Sequence, residues 1–365
     1  MPREIKKPVI VIAAGGTGGH VFPGLAVAKL FREKGYEVHW LGTPSGLEAE
    51  QVPEAGFIFH PIHVQGLRGK VGWRKLLGLY AVCGALWQSI KVLRRLHPIG
   101  VLGMGGFVAG PAGLAAGLLR IPLVIHEQNA VAGMTNRLLS PLAKRILTAF
   151  PAAFSSAKTQ LVGNPLRAEI IASPPPEQRG LNRRGALRLL ILGGSLGAQA
   201  LNETVPQGLA LMPLDQRPEV IHQAGKNHWQ ATLALYEKLG VSAQVKPFLS
   251  HMAEMYQWAD LVICRAGALT VGELTAVGVP AVLVPFPFAV DDHQTKNAAF
   301  LVQAGAARLV AQADFSAAVL KELLSTELTQ RDRLLTMAQA ARRLAKPQAT
   351  EAVANAFLEV CCEKY

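Results

Sequence analysis

The sequence is poor in the residues that mark several common protein classes. It has four cysteines, Cys83, Cys264, Cys361 and Cys362, and no C-x-x-C pair. That is too few and too irregular for a disulfide framework, a zinc ribbon or a thioredoxin-type centre, and a reducing, cytoplasmic compartment is the expectation. Charged residues make up 17% of the chain against 50% hydrophobic, which excludes a mostly disordered polar chain. Aromatics are 6% and no recognised nucleic-acid module is present, so nucleic acid is not an expected partner. Long apolar runs are also missing. Residues 76–90 are uncharged over 15 positions and residues 102–119 over 18, the latter holding six glycines and Pro111. Neither makes a convincing span of a bilayer, which needs roughly 20 apolar residues. The start of the chain is basic, but its apolar run, Val9 to Ala14, is short for a secretory signal and no cleavage site follows it. A buried first strand explains it better.

What is present is glycine, 35 residues of it, and an excess of positive charge. At 365 residues the chain has room for two domains, each with its own core. Lysine and arginine outnumber aspartate and glutamate by 37 to 25, a net charge of +12, and the excess is lopsided. Residues 1–165 hold 18 basic and 7 acidic side chains, and residues 166–365 hold 19 and 18. A basic surface on the first half, suited to an anionic partner, is implied.

The two halves open alike. Val9–Ala14 is an all-apolar, β-branched run, as expected of a parallel strand covered on both faces. It leads into Gly15-Gly-Thr-Gly-Gly-His20, then a helix predicted over 23–34 with Pro23 in its first turn, then a strand over 37–41. Leu189–Leu192 is followed by Gly193-Gly-Ser-Leu-Gly-Ala198 and a helical pattern from Ala200. Further strands are expected at 261–264 and 281–285. Ser173-Pro-Pro-Pro176 and the polar stretch to Arg184 read as the linker. Two doubly wound α/β domains follow, residues 1–165 and 166–345, with a C-terminal helix at about 346–365 packing back on the first. Ligands of such sheets bind beyond the carboxyl ends of the strands, so the glycine loops are expected to line a cleft between the domains.

Glycine turns feeding helix N-termini bring backbone N–H groups close to an anion. The dinucleotide fingerprint also wants an acid at the end of the second strand. The first half has Trp40-Leu-Gly-Thr43 there and the second Ile221-His-Gln-Ala224, so NAD is disfavoured. A Walker loop is missing as well. That leaves another phosphate ligand, such as a nucleotide sugar. Arg265-Ala-Gly-Ala-Leu-Thr-Val-Gly-Glu273 supports it: Gly267 permits a sharp turn, and the Glu273 carboxylate can accept two ribose hydroxyls. Asp291-Asp-His-Gln-Thr-Lys-Asn297 packs seven polar residues beside a strand, which suits hydroxyl recognition on a sugar. Asp291, Asp292 and His293 lack a clear metal-ligand spacing.

GGTGGHVFPGLAVA (15–28), GLRGK (66–70), LGMGGFVAGP (102–111), HEQNAVAGMTN (126–136), VGNPLR (162–167), GGSLGA (193–198), RAGALTVGEL (265–274) and DHQTKNA (292–298) run in order along the chain. Together they resemble the MurG family, the UDP-N-acetylglucosamine:lipid I N-acetylglucosaminyltransferases of bacterial peptidoglycan synthesis, and the resemblance covers essentially the whole chain. It implies a GT-B fold, two Rossmann-like domains facing across a cleft. It also implies an inverting transfer of GlcNAc from UDP-GlcNAc to the 4-hydroxyl of the muramic acid sugar of undecaprenyl-pyrophosphoryl-MurNAc-pentapeptide. By motif match Arg167, Ser195, Leu249 and the segment Ala268, Leu269, Thr270, Val271, Gly272 and Glu273 would hold the donor. Glu273 would take the ribose hydroxyls, and Gln294 with Asn129 would contact GlcNAc. Thr17, Gly18 and Gly19 would meet the donor and the acceptor pyrophosphate. Phe107, Leu196 and Gly272 depart from the family pattern, which usually has tyrosine, glutamine and a small polar residue there.

Inversion calls for a general base on the acceptor hydroxyl and stabilisation of departing UDP. His20 is the expected base, as a histidine leaving a glycine loop. Glu127 and His126, expected to follow a strand over 123–125, are its rivals. No Asp-x-Asp occurs among the six aspartates, and no metal or other cofactor is expected. Lys70, Arg74 and Lys75 interleave with Trp73, Leu76, Leu77 and Tyr80, the last four on one helical face. With the charge of the first half, that stripe suits a helix resting on the anionic cytoplasmic face of the inner membrane, alongside partners in wall synthesis. Another GT-B transferase, a UDP-sugar epimerase, a nucleotide-binding membrane adaptor and an NAD oxidoreductase are the competing readings.

Overall fold

The computed structural model describes residues 7–64, 73–181, 183, 185–327 and 330–362, with the backbone alone at 73–80 and 327. The chain divides into two compact units, Met1–Arg167 with Lys346–Tyr365, and Ala168–Ala345. Each is built on a wholly parallel sheet.

In the first unit the strands are β1 (Val9–Ala14), β2 (Glu37–Gly42), β3 (Ile58–Pro61), β4 (Gly100–Gly105), β5 (Leu123–Glu127), β6 (Arg145–Thr148) and β7 (Thr159–Leu161), in the order β3-β2-β1-β4-β5-β6-β7. The second has β8 (Arg188–Leu192), β9 (Glu219–Gln223), β10 (Gln244–Lys246), β11 (Leu261–Cys264), β12 (Ala281–Leu283) and β13 (Ala307–Leu309), ordered β10-β9-β8-β11-β12-β13. Strand order reverses at β1/β4 and at β8/β11. Crevices for ligands open at such switch points, so the loops after these four strands are the places to look.

The apolar strands earn their positions by alternation. Ile10 and Ile12 face one side of the first sheet with Trp40, Phe31 and Phe357, whereas Val11 and Ala13 face the other with Leu41, Val101 and Ile125. The helix Ala349–Cys362 belongs to the first side: Phe357 is fully buried with its ring 5.2 Å from that of Phe31, and Arg145 pairs with Glu359 at 2.7 Å. Burying a phenylalanine of that kind contributes about 1.5–3 kcal/mol. The other side is covered by the helices Trp73–Leu96 and Ala109–Leu118. Gly113 and Gly117 in the second of these lie against the side chains of Leu139 and Leu142, which brings the helix Met134–Leu139 close.

Three local expectations are corrected. The first helix runs over Gly18–Glu33, five residues earlier than predicted, so His20 stands in its first turn and Pro23 beyond it. β5 continues through His126 and Glu127 rather than ending at 125. The Pro-rich stretch is no free linker. Pro176 and Ser173 are buried in the second unit, Gln257 donates to Ser173 Oγ at 3.2 Å, and Gln339 donates to Glu177 at 2.7 Å.

Candidate active site

In the first unit, the loops after β1 and β4 touch through glycine backbone. Gly16, Gly105 and Gly106 have φ of +96°, +96° and +81°, and a Cβ on Gly106 would collide with the Gly15 carbonyl. Only glycine satisfies both demands. Thr17 caps the helix with extended backbone, and its carbonyl accepts from His20 N–H at 3.0 Å and Val21 N–H at 3.2 Å. The His20 ring is half-buried across the end of β4: a Cβ on Gly105 would stand 2.7 Å from its Cδ2.

His126 and Glu127, taken from the sequence as rivals of His20, are both inside the fold. His126 is fully buried, and its Nε2–H donates to the Gly163 carbonyl at 2.9 Å. Burial pushes its pKa down to about 4, so it is neutral and closed to substrate. The Glu127 carboxylate is 2% exposed and accepts four N–H groups. Oε1 takes the Asn129 backbone at 3.0 Å and its side chain at 3.4 Å, while Oε2 takes Gly133 N–H and Asn136 Nδ2, each at 2.9 Å. This is the geometry of an anchor that shapes the loop 128–136 and presents half-exposed Asn129. Asn136, which the sequence reading missed, completes it.

In the second unit the turn after β8 crosses the turn after β9. Gly194, Gly197 and Gly225 have φ of +80°, +83° and +90°, and a Cβ on Gly197 or Gly225 would collide with the facing backbone. Ser195 and Leu196 form the exposed tip, and Lys226 N–H reaches the Ser195 carbonyl at 3.4 Å. Behind this crossing, Asn202 Nδ2 donates to the Ala224 carbonyl at 3.0 Å, which turns Asn202 Oδ1 toward His222 Nε2–H at 3.1 Å. Tyr236 O–H donates to His222 Nδ1 at 3.0 Å. His222 is therefore held neutral, and burial pushes its pKa down to about 3.

His126 and His222 are fully buried, and an unfolded histidine titrates near 6.5. Above that pH neither state binds the proton. As pH falls from 7 to 5 the unfolded chain takes up protons that the fold excludes, so the unfolding free energy drops by about 2 kcal/mol for each group. Urea unfolding at both pH values checks this. His222→Gln is expected to lose about 2 kcal/mol less than the wild type over the same interval, and an identical loss would mean that His222 protonates inside the fold.

The loop after β11 leads into the helix Ala268–Val277, capped by Gly267 and closed by Gly278 at φ +71°. Asn297, fully buried, pins it by donating to the Ala266 carbonyl at 3.1 Å. Arg265 donates to the carbonyls of Val284 at 3.0 Å and Pro285 at 3.2 Å, tying the ends of β11 and β12 together. Glu273 is 6% exposed, and its Oε2 accepts the hydroxyl of buried Tyr256 at 2.9 Å. Tyr256 was invisible in the sequence, because nothing in 252–258 marks it apart from a core aromatic. Ala268 and Val271 are buried, while Leu269, Thr270, Gly272 and Leu249 are half-buried.

Much of the polar stretch 291–297 maintains its own turn. Asp291 and Asp292 take left-handed φ of 53° and 52°, Thr295 donates to Asp292 at 2.6 Å, and His293 Nδ1–H donates to the Val290 carbonyl at 2.6 Å. Gln294 differs. Its Oε1 accepts Phe286 N–H at 2.9 Å, which orients the amide and leaves its NH2 group for another acceptor. Arg167 is half-buried with its guanidinium 5.9 Å from the Phe22 ring centroid. Lys70 lies outside the described residues. Trp73, Arg74, Lys75, Leu76, Leu77 and Tyr80 fall within the helix Trp73–Leu96, but their side chains are outside the described ones.

Residues 10–148 match the glycosyltransferase family 28 N-terminal domain and residues 188–354 the family 28 C-terminal domain. The chain belongs to glycosyltransferase family 28. Its relatives within the family agree with the resemblance drawn from the motifs. The UDP-N-acetylglucosamine--N-acetylmuramyl-(pentapeptide) pyrophosphoryl-undecaprenol N-acetylglucosamine transferase of Marinobacter nauticus is 53% identical over 350 residues, 96% of each chain. The protein of the same name from Pseudomonas fluorescens is 54% identical over 352 residues, 96% of this chain and 98% of its own. The crystal structure of Acinetobacter baumannii MurG superposes with a TM-score of 0.82 at 42% identity, covering 97% of this chain and 99% of that one. Two parallel-sheet Rossmann-like units with these matches make this family member a GT-B glycosyltransferase.

Proposed function

We propose that the protein transfers GlcNAc from UDP-GlcNAc to the 4-hydroxyl of MurNAc in undecaprenyl-pyrophosphoryl-MurNAc-pentapeptide (lipid I), forming lipid II with inversion at the anomeric carbon. The observation that carries this reading is identity above 50%, over 96% of the chain, to relatives named for that reaction.

In one in-line step the acceptor oxygen bonds to the anomeric carbon as the bond to the UDP oxygen breaks. His20 takes the acceptor proton. Thr17, Gly18 and Gly19, at the start of a helix, offer N–H groups to the acceptor pyrophosphate and the donor. Glu127 acts through Asn129, which with the Gln294 amide addresses GlcNAc. Ser195, Leu249, Arg167 and the 268–273 segment hold UDP, with Glu273 on the ribose. Helix N-termini and Arg167 balance the charge on departing UDP. No essential metal is part of this reading, and activity that survives excess chelator is the expected result. The decisive assay is transfer from labelled UDP-GlcNAc to a lipid I analogue. A lipid-linked disaccharide supports the reading, and its absence from folded, UDP-binding protein overturns it.

The acceptor is lipid-linked, so the protein works peripherally at an anionic membrane, on its cytoplasmic face. No helix among the described residues is long and apolar enough to cross a bilayer. The first unit, however, exposes large apolar side chains on adjoining helices: Trp87 at 64%, Leu118 at 61% and Leu138 at 72%. Exposed Lys91, Arg94, Arg120 and Arg137 accompany them. Anionic headgroups attract each nearby lysine or arginine by about 1 kcal/mol, so changing Lys70, Arg74 and Lys75 together to alanine is expected to weaken vesicle binding roughly 100-fold at low salt. Co-sedimentation with anionic-phospholipid vesicles across a salt series measures it, and binding indifferent to both salt and substitution would remove the stripe from the interface.

A further inference from the structure

The sequence shows no acid at the end of β2, yet the structure brings one there. Glu48 opens the short helix Glu48–Glu54, and its side chain is fully buried. Its Oε1 accepts Thr43 N–H at 2.8 Å and the Thr43 hydroxyl at 2.6 Å, and its Oε2 accepts Gly16 N–H at 3.0 Å. The space around it is cleared by glycine. A Cβ on Gly15 or Gly46 would overlap the carboxylate, and one on Gly42 would stand 2.6 Å from Glu48 Cγ. A buried carboxylate is costly unless its oxygens are satisfied, and here three donors from the ends of two strands converge on it.

The placement bears on function through Gly16. That residue, at φ +96°, is the pivot between β1 and the helix that carries His20. The direction of its N–H fixes the plane of the Gly15–Gly16 peptide, from which the chain turns into Thr17. Trp40 Nε1–H, donating to the Ala14 carbonyl at 2.9 Å, fixes the Ala14–Gly15 peptide, so Trp40 and Glu48 hold the two successive peptides that enter the turn. Without Glu48 the Gly16 N–H loses the carboxylate that holds it, and the pivot is free to turn.

We propose that Glu48 is a positioning residue for transfer: it locks the Gly15–Gly16 turn so that Thr17–His20 stand ready for the acceptor's pyrophosphate and hydroxyl. The proposal rests on the lipid I reading above. Misplacing a reacting group by about an ångström costs on the order of a hundredfold in rate.

Glu48→Gln tests it at nearly constant volume. Glutamine has one acceptor oxygen where glutamate has two, so one of Gly16 N–H and Thr43 N–H must face the NH2 group, donor to donor. Two measurements are paired: steady-state kinetics with a lipid I analogue beside UDP affinity, and hydrogen exchange of the amides 15–20. The expected result is a roughly 10- to 100-fold loss in kcat/KM for the acceptor, a change in UDP affinity of no more than about threefold because most of the groups proposed to hold UDP lie outside that turn, and faster exchange confined to the turn. Unchanged exchange at 15–20, or unchanged acceptor kinetics, overturns the proposal. So does a parallel loss of UDP affinity with exchange raised throughout, which would make Glu48 a support of the fold alone. Should Glu48→Gln not fold, Thr43→Val and Thr43→Ser decide. The first removes one donor and is expected to lose several-fold in acceptor kcat/KM, with rescue by the second, and equal activity in both overturns the proposal. If the wild type makes no disaccharide, the lipid I reading fails by itself, while the exchange data still show whether Glu48 holds the turn.

Discussion

His20→Ala is expected to lower kcat for GlcNAc transfer by about 10²- to 10⁴-fold while leaving UDP affinity unchanged, the range that a positioned general base contributes. The geometry narrows the choice of base by elimination among its neighbours. His126 is fully buried with one ring nitrogen committed to the Gly163 carbonyl, and burial pushes its pKa down to about 4. It neither reaches an acceptor hydroxyl nor holds a proton near neutrality. Glu127 spends both oxygens on the loop 128–136, so Glu127→Gln is expected to lower thermal stability together with activity. His20 alone of the three is half-buried, in the first turn of a helix beside the open end of β4. A second signature separates a base from a residue that only binds. The acidic limb of the kcat/KM profile against pH is expected to vanish in His20→Ala and to persist in Glu127→Gln. If His20→Ala keeps its activity within tenfold and retains that limb, the proton goes elsewhere.

The strands and the glycine loops were legible because each answers to one strong local constraint. A parallel strand covered on both faces must be apolar throughout, so Val9–Ala14, Leu261–Cys264 and most of Arg188–Leu192 announce themselves. Gly16, Gly194 and Gly197 sit at positive φ, where other residues are strained. Element ends were less legible, since tertiary contacts override propensity there. Gly18, Gly19 and His20 are poor helix formers, yet they make the first turn of a helix that packs against the sheet. His126 and Glu127 look like a polar loop but continue β5, because Gly163, Gly133 and Asn136 supply their partners. Glu48 and Tyr256 had no local signal at all. Glu48 meets Gly16 across 32 residues and Tyr256 meets Glu273 across 17, and only the fold brings them together. The Pro-Pro-Pro stretch misled for the opposite reason. Its composition suits a linker, but Pro176 is buried beside Gly278 and Arg342.

Glu273→Ala is expected to raise the KM for UDP-GlcNAc by about 10²- to 10³-fold, with a much smaller change in kcat. Hydrogen bonds to a charged acceptor contribute about 1.5–3 kcal/mol each, and two ribose hydroxyls on one carboxylate account for the upper part of the range. The residue stands in the helix Ala268–Val277 beyond β11 and is only 6% exposed, so a ribose docking there meets a carboxylate already mostly stripped of water. Tyr256 is its second support. The phenol donates to Oε2 at 2.9 Å from a fully buried ring, which fixes the carboxylate plane. Cys264 lies close enough for the Glu273 charge to add to burial in pushing its thiol up to about 12, so the sulfur stays neutral beside the carboxylate. Tyr256→Phe is therefore expected to raise the same KM by roughly tenfold, as one charge-assisted bond is lost while the carboxylate remains. The readout specific to a ribose contact is discrimination between UDP and 2′-deoxy-UDP in a direct binding titration. The wild type is expected to prefer UDP, Tyr256→Phe to prefer it less, and Glu273→Ala to bind the two alike. A preference undiminished in Glu273→Ala would move the ribose hydroxyls to another residue, whatever happened to KM.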